Sequence, residues 1–270
     1  MPEFEPTQLG RTGLKVGRLG VAASYGAPAP AFEAAFERGC NYFYLGSGRH
    51  RSGMRRAICN ICRKGHRDQL VVAVQTYARF GTFTAFTLKR SLRSMGIDYA
   101  DILILGWHNR PPSKRLLERA LKLQAQGVFK YLGMSGHNRP LFPALTASEA
   151  FDLFHVRYNA AHRGAEKDVF AKMPAENRVG IVTYTATRWG HLLDPKKMPP
   201  GEKAPEASDC YRFVLSNPHV DVGLCGPKDM GQMQTALKTL DLGPMTSHEL
   251  QRMERIGEHV QQHGKGFFCF

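Results

Sequence analysis

The sequence predicts an α/β protein, a (β/α)8 barrel of the TIM type with an additional C-terminal helix. Eight short apolar segments alternate with longer amphipathic segments along almost the whole chain, the rhythm of a parallel sheet with crossover helices. Eight such units are more than an open doubly wound sheet usually contains. No Gly-x-Gly-x-x-Gly follows the first apolar segment, which argues further against an open dinucleotide-binding sheet.

Apolar runs bounded by turn residues mark the strand candidates. They are preceded by a glycine-punctuated stretch, residues 9–18, for which we expect a hairpin. The eight runs cover residues 19–23, 42–45, 70–75, 102–105, 131–134, 153–156, 180–184 and 220–224.

Amphipathic patterns fill the intervals and predict helices over residues 31–38, 54–64, 85–95, 114–126, 141–148, 166–172, 208–215 and 230–240. Ser113 is a favourable N-cap for the fourth helix, and Gly127 ends it as a C-cap. A last helix, 247–262, lies outside the βα count and is expected to pack across the barrel. Residues 191–205, rich in Pro, Lys and Gly, form a long loop of the kind that often carries function.

Length and composition indicate one globular domain over residues 1–270. Hydrophobic residues make up 43% and charged residues 22%, too apolar a balance for a disordered chain. We find no signal-peptide core and no apolar run of about 18 residues, so we expect a cytoplasmic protein with no membrane partner. The six cysteines show no disulfide-framework spacing, and Cys59 and Cys62 lack the second pair that a tetrahedral metal site requires. We therefore expect no bound metal.

The charge balance favours anionic ligands. There are 37 Lys and Arg against 23 Asp and Glu, a formal charge of +14 that attracts a phosphorylated cofactor, an acidic substrate or nucleic acid alike. The densest basic stretch, residues 49–56, lacks aromatic interleaving and any helix-turn-helix or RNP pattern. We expect a small-molecule partner, and the positive charge of the chain is compatible with an anionic one. We expect no nucleic-acid partner.

Seven segments, taken in order, resemble the aldo-keto reductases along nearly the whole chain. They are LGRTGLKVGRLGVAASYG, AFERGCNYFYLGS, SLRSMGIDYADILIL, YLGMSGHN, FDLFHVRYN, GIVTYTATRWGHLL and VDVGLCGPKDMGQMQTAL. The C-terminal stretch, with GPK and then GPMTSHEL, is most similar to the branch whose other members carry an iron-sulfur tail. With a single cysteine in GKGFFCF, no iron-sulfur cluster is expected here.

The resemblance implies a site in which four catalytic positions are changed. Aldo-keto reductases transfer hydride from NADPH to a carbonyl with an Asp, a Tyr, a Lys and a His at the C-terminal mouth of the barrel. Tyr44 stands at the position of the Asp, Arg49 at that of the Tyr, Gln75 at that of the Lys and Gly106 at that of the His. The flanking apolar runs set this register, so we expect Tyr44, Gln75 and Gly106 at the strands' C-terminal ends, facing one cavity.

Several residues are candidates for a rebuilt mouth: Tyr44, Arg49, Gln75, His108 and His137. Tyr44 is a possible proton donor, although a Tyr without a neighbouring cation such as Arg49 keeps a pKa of about 10 and is a poor acid at neutral pH. The alternative for Tyr44 is a packing residue. His108, two residues beyond Gly106, either points into the mouth or is a hydrogen-bonded loop histidine.

The cofactor positions match the family pattern better than the catalytic positions do, beginning with the nicotinamide half of the site. The resemblance implies that Tyr184 stacks on the nicotinamide and that Thr185 meets the pyrophosphate. Ser135 matches the serine that holds the carboxamide, with Gly136 or His137 in place of the usual Asn and His155 in place of the usual Gln.

The phosphate half depends on the last βα turn. Gly226 and Lys228 match the loop that receives the 2′-phosphate of NADPH, where a cation is the physical requirement. Arg188 is a further cofactor-binding candidate, whereas Ala236 replaces an Asn that the family uses on the adenine.

Three functional hypotheses follow. The leading one is a cytoplasmic, NADPH-dependent oxidoreductase of aldo-keto reductase type with a rebuilt mouth. The second is a barrel without hydride chemistry that serves as a binding or regulatory protein. The third is a non-redox enzyme for an anionic small molecule, which fits Arg49, Arg51, Arg157 and Arg188. The fold does not choose among them, because this barrel carries many chemistries.

Overall fold

A computed structural model describes residues 4–46, 50–79, 81–174 and 176–263 of the 270-residue chain. Eight parallel strands close into a barrel, which confirms the predicted fold class. The last barrel strand pairs with the first, which closes the barrel sheet. The barrel strands are β3 (Leu19–Ala22), β4 (Tyr42–Leu45), β5 (Val71–Thr76), β6 (Ala100–Leu105), β7 (Phe129–Ser135), β8 (Leu153–Arg157), β9 (Gly180–Tyr184) and β10 (Val222–Cys225).

Helices surround the barrel. They are α1 (Ala29–Glu37), α2 (Ser52–Arg63), α3 (Gly81–Met95), α4 (Lys114–Ala125), α5 (Leu141–Thr146), α6 (Ala165–Asp168), α7 (Ala207–Leu215), α8 (Met230–Leu242) and α9 (Ser247–His263). The sixth is shorter than the sequence predicts, because the backbone at Val169 leaves the helical region and only a 3-10 turn, Phe170–Lys172, continues it. In the described part of the chain, no helix has the length and apolar character needed to cross a membrane.

The N-terminal hairpin closes the bottom of the barrel. It pairs β1 (Thr7–Gln8) with β2 (Lys15–Val16), so it starts two residues earlier and ends two residues sooner than the predicted 9–18. Leu9 and Val16 are fully buried and pack on the lower layer of the interior, formed by residues such as Val71, Ile102, Leu153 and Val222. The interior is therefore filled from below, and space remains at the opposite end.

Alternation along each strand separates two apolar clusters. Phe43 and Leu45 of β4 belong to the cluster under the helices, whereas Tyr42 packs in the barrel interior with Tyr44 against it. The same parity places Gln75 and His155 on the interior side of β5 and β8, next to the mouth. The strand register thus determines which polar side chains reach the mouth.

Polar side chains at the starts of alternate strands hold that register. Asn41, Asp101, Asp152 and Asp221 stand at the beginning of β4, β6, β8 and β10. Their side-chain oxygens accept hydrogen bonds from the backbone N–H groups of Gly17 (3.0 Å), Val72 (2.9 Å), Leu132 (2.8 Å) and Ile181 (2.8 Å), respectively. Each acceptor therefore joins the start of its own strand to the preceding one: near the start of β3, β5 and β9 and at the middle of β7.

We predict that Asp101→Ala lowers the free energy of unfolding by about 3 kcal/mol or more. The change leaves the buried N–H of Val72 without its acceptor and removes the carboxylate that lies 2.9 Å from Arg67 and 3.3 Å from Lys130. Chemical denaturation measures the effect, and Asp98→Ala, at an exposed position nearby, is the control, expected within about 0.5 kcal/mol of wild type. Equal stabilities of the two variants would contradict this role.

Candidate active site at the barrel mouth

A cavity of about 870 Å³ opens at the C-terminal end of the barrel. Strand ends form its floor, with Tyr44, Gln75, Ser135, His155 and Tyr184. From there the same space continues to the start of α8, where Lys228, Gln232 and Thr235 line it. This size suits a cofactor or a drug-sized ligand, and the polar groups converge on its floor.

Three side chains form a hydrogen-bonded chain on the floor. The Tyr44 hydroxyl donates to Oε1 of Gln75 at 2.6 Å, and the Ser135 hydroxyl donates to the same oxygen at 3.4 Å. The Ser135 oxygen in turn accepts from the backbone N–H of Trp107 at 3.2 Å. These contacts orient the Gln75 amide: Oε1 accepts from Tyr44 and Ser135, and Nε2 lies next to Gly106.

Gly106 makes room for the Gln75 side chain. A Cβ atom at Gly106 would lie 2.7 to 2.9 Å from Nε2, Cδ and Cγ of Gln75, closer than side chains tolerate. Residues 75 and 106 are thus physically coupled: a larger side chain such as histidine at position 106 would displace the glutamine from its present place.

His155 is a buried, neutral histidine of the floor. It is 1% exposed, its Nε2 lies 2.8 Å from the Tyr42 hydroxyl, and its ring centroid is 4.9 Å from that of Tyr44. Burial lowers the pKa of His155 to about 3 and raises the pKa of Tyr44 well above 10. Neither group exchanges protons readily at neutral pH.

His137 lies on one wall between two aromatic rings. Its ring centroid is 6.2 Å from Trp107 and 6.5 Å from Tyr184, in edge-to-face arrangements. Burial, with a smaller contribution from the positive charge of Arg157, lowers the pKa of His137. A neutral imidazole with a weak contact of 3.5 Å to the Tyr184 hydroxyl is thus presented to the cavity.

His108 lies behind the cavity rather than in its lining. Arg79 donates to Nε2 of His108 at 2.7 Å and also to the carbonyl oxygens of Gly106 and Trp107. Because a guanidinium only donates, this histidine nitrogen carries no proton. Burial, followed by the charge of Arg79, lowers the pKa of His108 to about 4.

The candidate cofactor residues fall into two groups. Tyr184, Thr185, Ser135, His155, Gly226 and Lys228 all line the cavity. Arg188 does not; its Nη1 donates to the carbonyl oxygen of Val260 in α9 at 2.6 Å. Arg49 lies outside the described residues, and Arg51 donates to the carbonyl oxygen of Gly46 at 3.0 Å.

Aromatic residues that the sequence did not single out form much of the rim. Tyr25, Tyr77, Trp107 and Trp189 line the cavity with more than two fifths of each side chain exposed. Trp107 and Trp189 also adopt positive φ angles of 56° and 53°, an uncommon conformation for bulky residues. No sequence signal marks these residues, because they lie on separate loops and meet only at the closed barrel.

Comparisons with known proteins identify the fold. No protein-family model and no curated protein matches the sequence. Among solved structures, an aldo-keto reductase of Klebsiella pneumoniae in complex with NADPH superposes with a TM-score of 0.77 at 18% identity over 96% of each chain. The holo form of one from Bacillus halodurans has a TM-score of 0.75, also at 18% identity over 96% of each chain. A Klebsiella pneumoniae structure with NADP and acetate has a TM-score of 0.76 at 18% identity, over 94% of this chain and 95% of that one.

We predict that His155 makes the fold sensitive to acid. The unfolded histidine takes up a proton below about pH 6.5, whereas the folded one, with a pKa of about 3, does not. The stability contributed by His155 is therefore complete above pH 6.5 and is lost as pH falls from there towards 3, by about 1.4 kcal/mol per pH unit. Between pH 7.5 and pH 4.5, His155→Gln should lose about 2 to 3 kcal/mol less than wild type in urea denaturation.

The control is His248→Gln at an exposed position, which should follow wild type. A glutamine at position 155 retains a hydrogen-bonding partner for Tyr42, so that packing changes little. Parallel pH profiles of wild type and His155→Gln would show that the buried histidine does not contribute in this way.

Proposed function

Because the chain has the fold of the aldo-keto reductases, we propose that it is a cytoplasmic oxidoreductase of that type with a rebuilt mouth. In this proposal it binds NADPH and acts on a small-molecule carbonyl compound. The observation that carries it is the continuity of the cavity, which joins Tyr184 and the Tyr44–Gln75 floor to Lys228 at the start of α8. A dinucleotide requires such a site, with an aromatic surface at one end and a cation at the other.

The residues on the floor fit a nicotinamide. Tyr184 offers a ring that lines the cavity, and the Ser135 hydroxyl lies on the same floor within reach of a carboxamide. Ser135 is already engaged with Gln75 and with the N–H of Trp107, so it would share its hydrogen bonds with the ligand. When bound, NADPH would supply a hydride.

The residues at α8 fit a phosphate. Lys228 is exposed and forms no ion pair with the described side chains, and its backbone N–H donates to Oε1 of Gln232 at 3.1 Å. The Asp229 carboxylate already accepts the N–H of Gln232 at the helix N-terminus, at 2.8 Å. The Lys228 ammonium therefore provides the main attraction for a phosphate there.

The floor offers a carbonyl substrate neutral hydrogen bonds only. Nε2 of Gln75 would donate to the carbonyl oxygen, while the Tyr44 proton is directed to Oε1 of Gln75. The raised pKa of Tyr44 makes it a weak acid. A hydride transfer that depends on these residues would be slow, with its proton supplied finally by water.

We predict low reductase activity on simple aldehydes. Loss of the family's proton donor and its lysine removes on the order of several kcal/mol of transition-state stabilisation, so NADPH oxidation with 4-nitrobenzaldehyde should run far below about 1 per second. Tyr44→Phe should change that rate by less than about threefold. A wild-type rate of about 1 per second that collapses in Tyr44→Phe would identify Tyr44 as an efficient donor and overturn this description of the floor.

We predict that Lys228→Ala weakens NADPH binding by about 1.5 to 3 kcal/mol, the scale of a charge-assisted hydrogen bond. NADH, which lacks the 2′-phosphate, should bind both forms alike. Lys196→Ala, which removes an exposed positive charge outside the cavity, is the matched control. Isothermal titration at physiological salt measures all three proteins, and equal NADPH affinities of wild type and Lys228→Ala would exclude the proposed phosphate site.

A second candidate is a barrel that binds NADPH without hydride chemistry and serves as a binding or regulatory protein. The observation in its favour is that Tyr44 and His155 at the floor have pKa values shifted away from neutrality. Saturable NADPH binding without turnover on any carbonyl compound would favour this candidate over the oxidoreductase.

A further inference from the structure

One side of the barrel carries a concentrated positive charge. Helix α3, helix α4 and the loop that leads into α4 contain eight Lys and Arg residues against a single carboxylate, that of Glu118. Their net charge of +7 is half of the chain's formal charge of +14. We call this surface the α3–α4 face; its cations are Lys89, Arg90, Arg93, Arg110, Lys114, Arg115, Arg119 and Lys122.

These eight cations are exposed, and none of them forms an ion pair with a described residue. None of them lies within 4.0 Å of a carboxylate among the described side chains, whereas fourteen ion pairs are formed elsewhere in the same part of the chain. The surface therefore retains a local positive potential that intramolecular partners do not cancel.

Large aromatic side chains lie among these cations. Phe83 and Phe86 in the first turns of α3 are each 62% exposed, and neither lines the barrel cavity. With Arg90 and Arg93 they follow a spacing of three, four and three residues, which places all four on one side of the helix. Trp107, 53% exposed, begins the loop to α4. Two such phenylalanines, exposed side by side, form an apolar patch of the kind that marks an interaction surface.

We propose that the α3–α4 face docks on an anionic phospholipid bilayer. Phe83 and Phe86 enter the boundary between headgroups and acyl chains, and the surrounding lysines and arginines contact the lipid phosphates. This contact is peripheral and needs no spanning helix, so it revises the expectation of no membrane partner, which rested on spanning segments alone.

The shape of the face favours a bilayer over nucleic acid. Stacking sites for single-stranded nucleic acid combine aromatic rings with a basic groove that follows the backbone. Phe83 and Phe86 instead are exposed on a helix and do not line the barrel cavity. Protruding apolar side chains ringed by cations are the arrangement that interfacial membrane binding uses.

The test is co-sedimentation of the full chain with vesicles of phosphatidylcholine, with and without phosphatidylglycerol, at physiological salt. Wild type should bind only the anionic vesicles and detach as the salt concentration rises. Phe83→Ala/Phe86→Ala should lower the partition coefficient about tenfold or more, and Lys89→Glu/Arg90→Glu should do the same. Circular dichroism and thermal melting verify that each variant is folded.

A matched charge reversal separates this face from general basicity. Lys167→Glu/Arg255→Glu introduces the same change of charge at exposed positions of α6 and α9, and it should bind vesicles within about threefold of wild type. The proposal is overturned if wild type does not bind anionic vesicles. It is equally overturned if both charge reversals weaken vesicle binding to the same extent, or if the phenylalanine variant binds vesicles as tightly as wild type. It is also overturned if a polythymidine oligonucleotide displaces the vesicles and loses affinity with the phenylalanine change, since the face would then bind nucleic acid.

Discussion

The mouth of this barrel depends on four hydrogen bonds at its opposite end. Asn41, Asp101, Asp152 and Asp221, at the starts of alternate strands, each accept a backbone N–H of the preceding strand or of the residues that lead into it. Asp101 and Asp221 are nearly fully buried, and both also meet cations, Asp101 at Arg67 and Lys130 and Asp221 at Arg178. Acceptors on every second strand fix how far each strand slides against its neighbour. In a parallel sheet a slip of one residue would turn every side chain to the other face.

That register leads directly to the floor of the cavity. Gln75, Ser135 and Tyr184 stand three residues after Val72, Leu132 and Ile181, whose N–H groups the three aspartates accept. The hairpin fills the lower interior with Leu9 and Val16, and the large cavity opens above these three side chains. The hydrogen bonds at the lower end of the barrel thus position Gln75, Ser135 and Tyr184 at its mouth.

Charge is distributed differently here from what the resemblance to the aldo-keto reductases implies for catalysis. The floor is neutral: Tyr44 is hydrogen-bonded to Gln75, and burial keeps His155 unprotonated. Positive charge is found at the far end of the cavity, on Lys228, and outside it, on the α3–α4 face. A neutral floor is compatible with holding a nicotinamide but weak in proton transfer, which is why the proposed activity is slow. The outer charge is independent of that chemistry.

The sequence by itself determined the barrel class and the eight strands within a few residues, because alternating apolar runs specify both strand and face. It could not determine the pairing of His108 with Arg79, or the way Gly106 gives space to Gln75, because these contacts join residues of different strands and loops. The short helix α6 and the aromatic rim of the cavity could not be predicted from the sequence for the same reason. Only the tertiary structure decided that Phe83 and Phe86 remain exposed beside eight cations that form no ion pair within the described part of the chain. Helical periodicity shows which residues share a face, whereas burial and ion pairing depend on what the closed barrel places against that face.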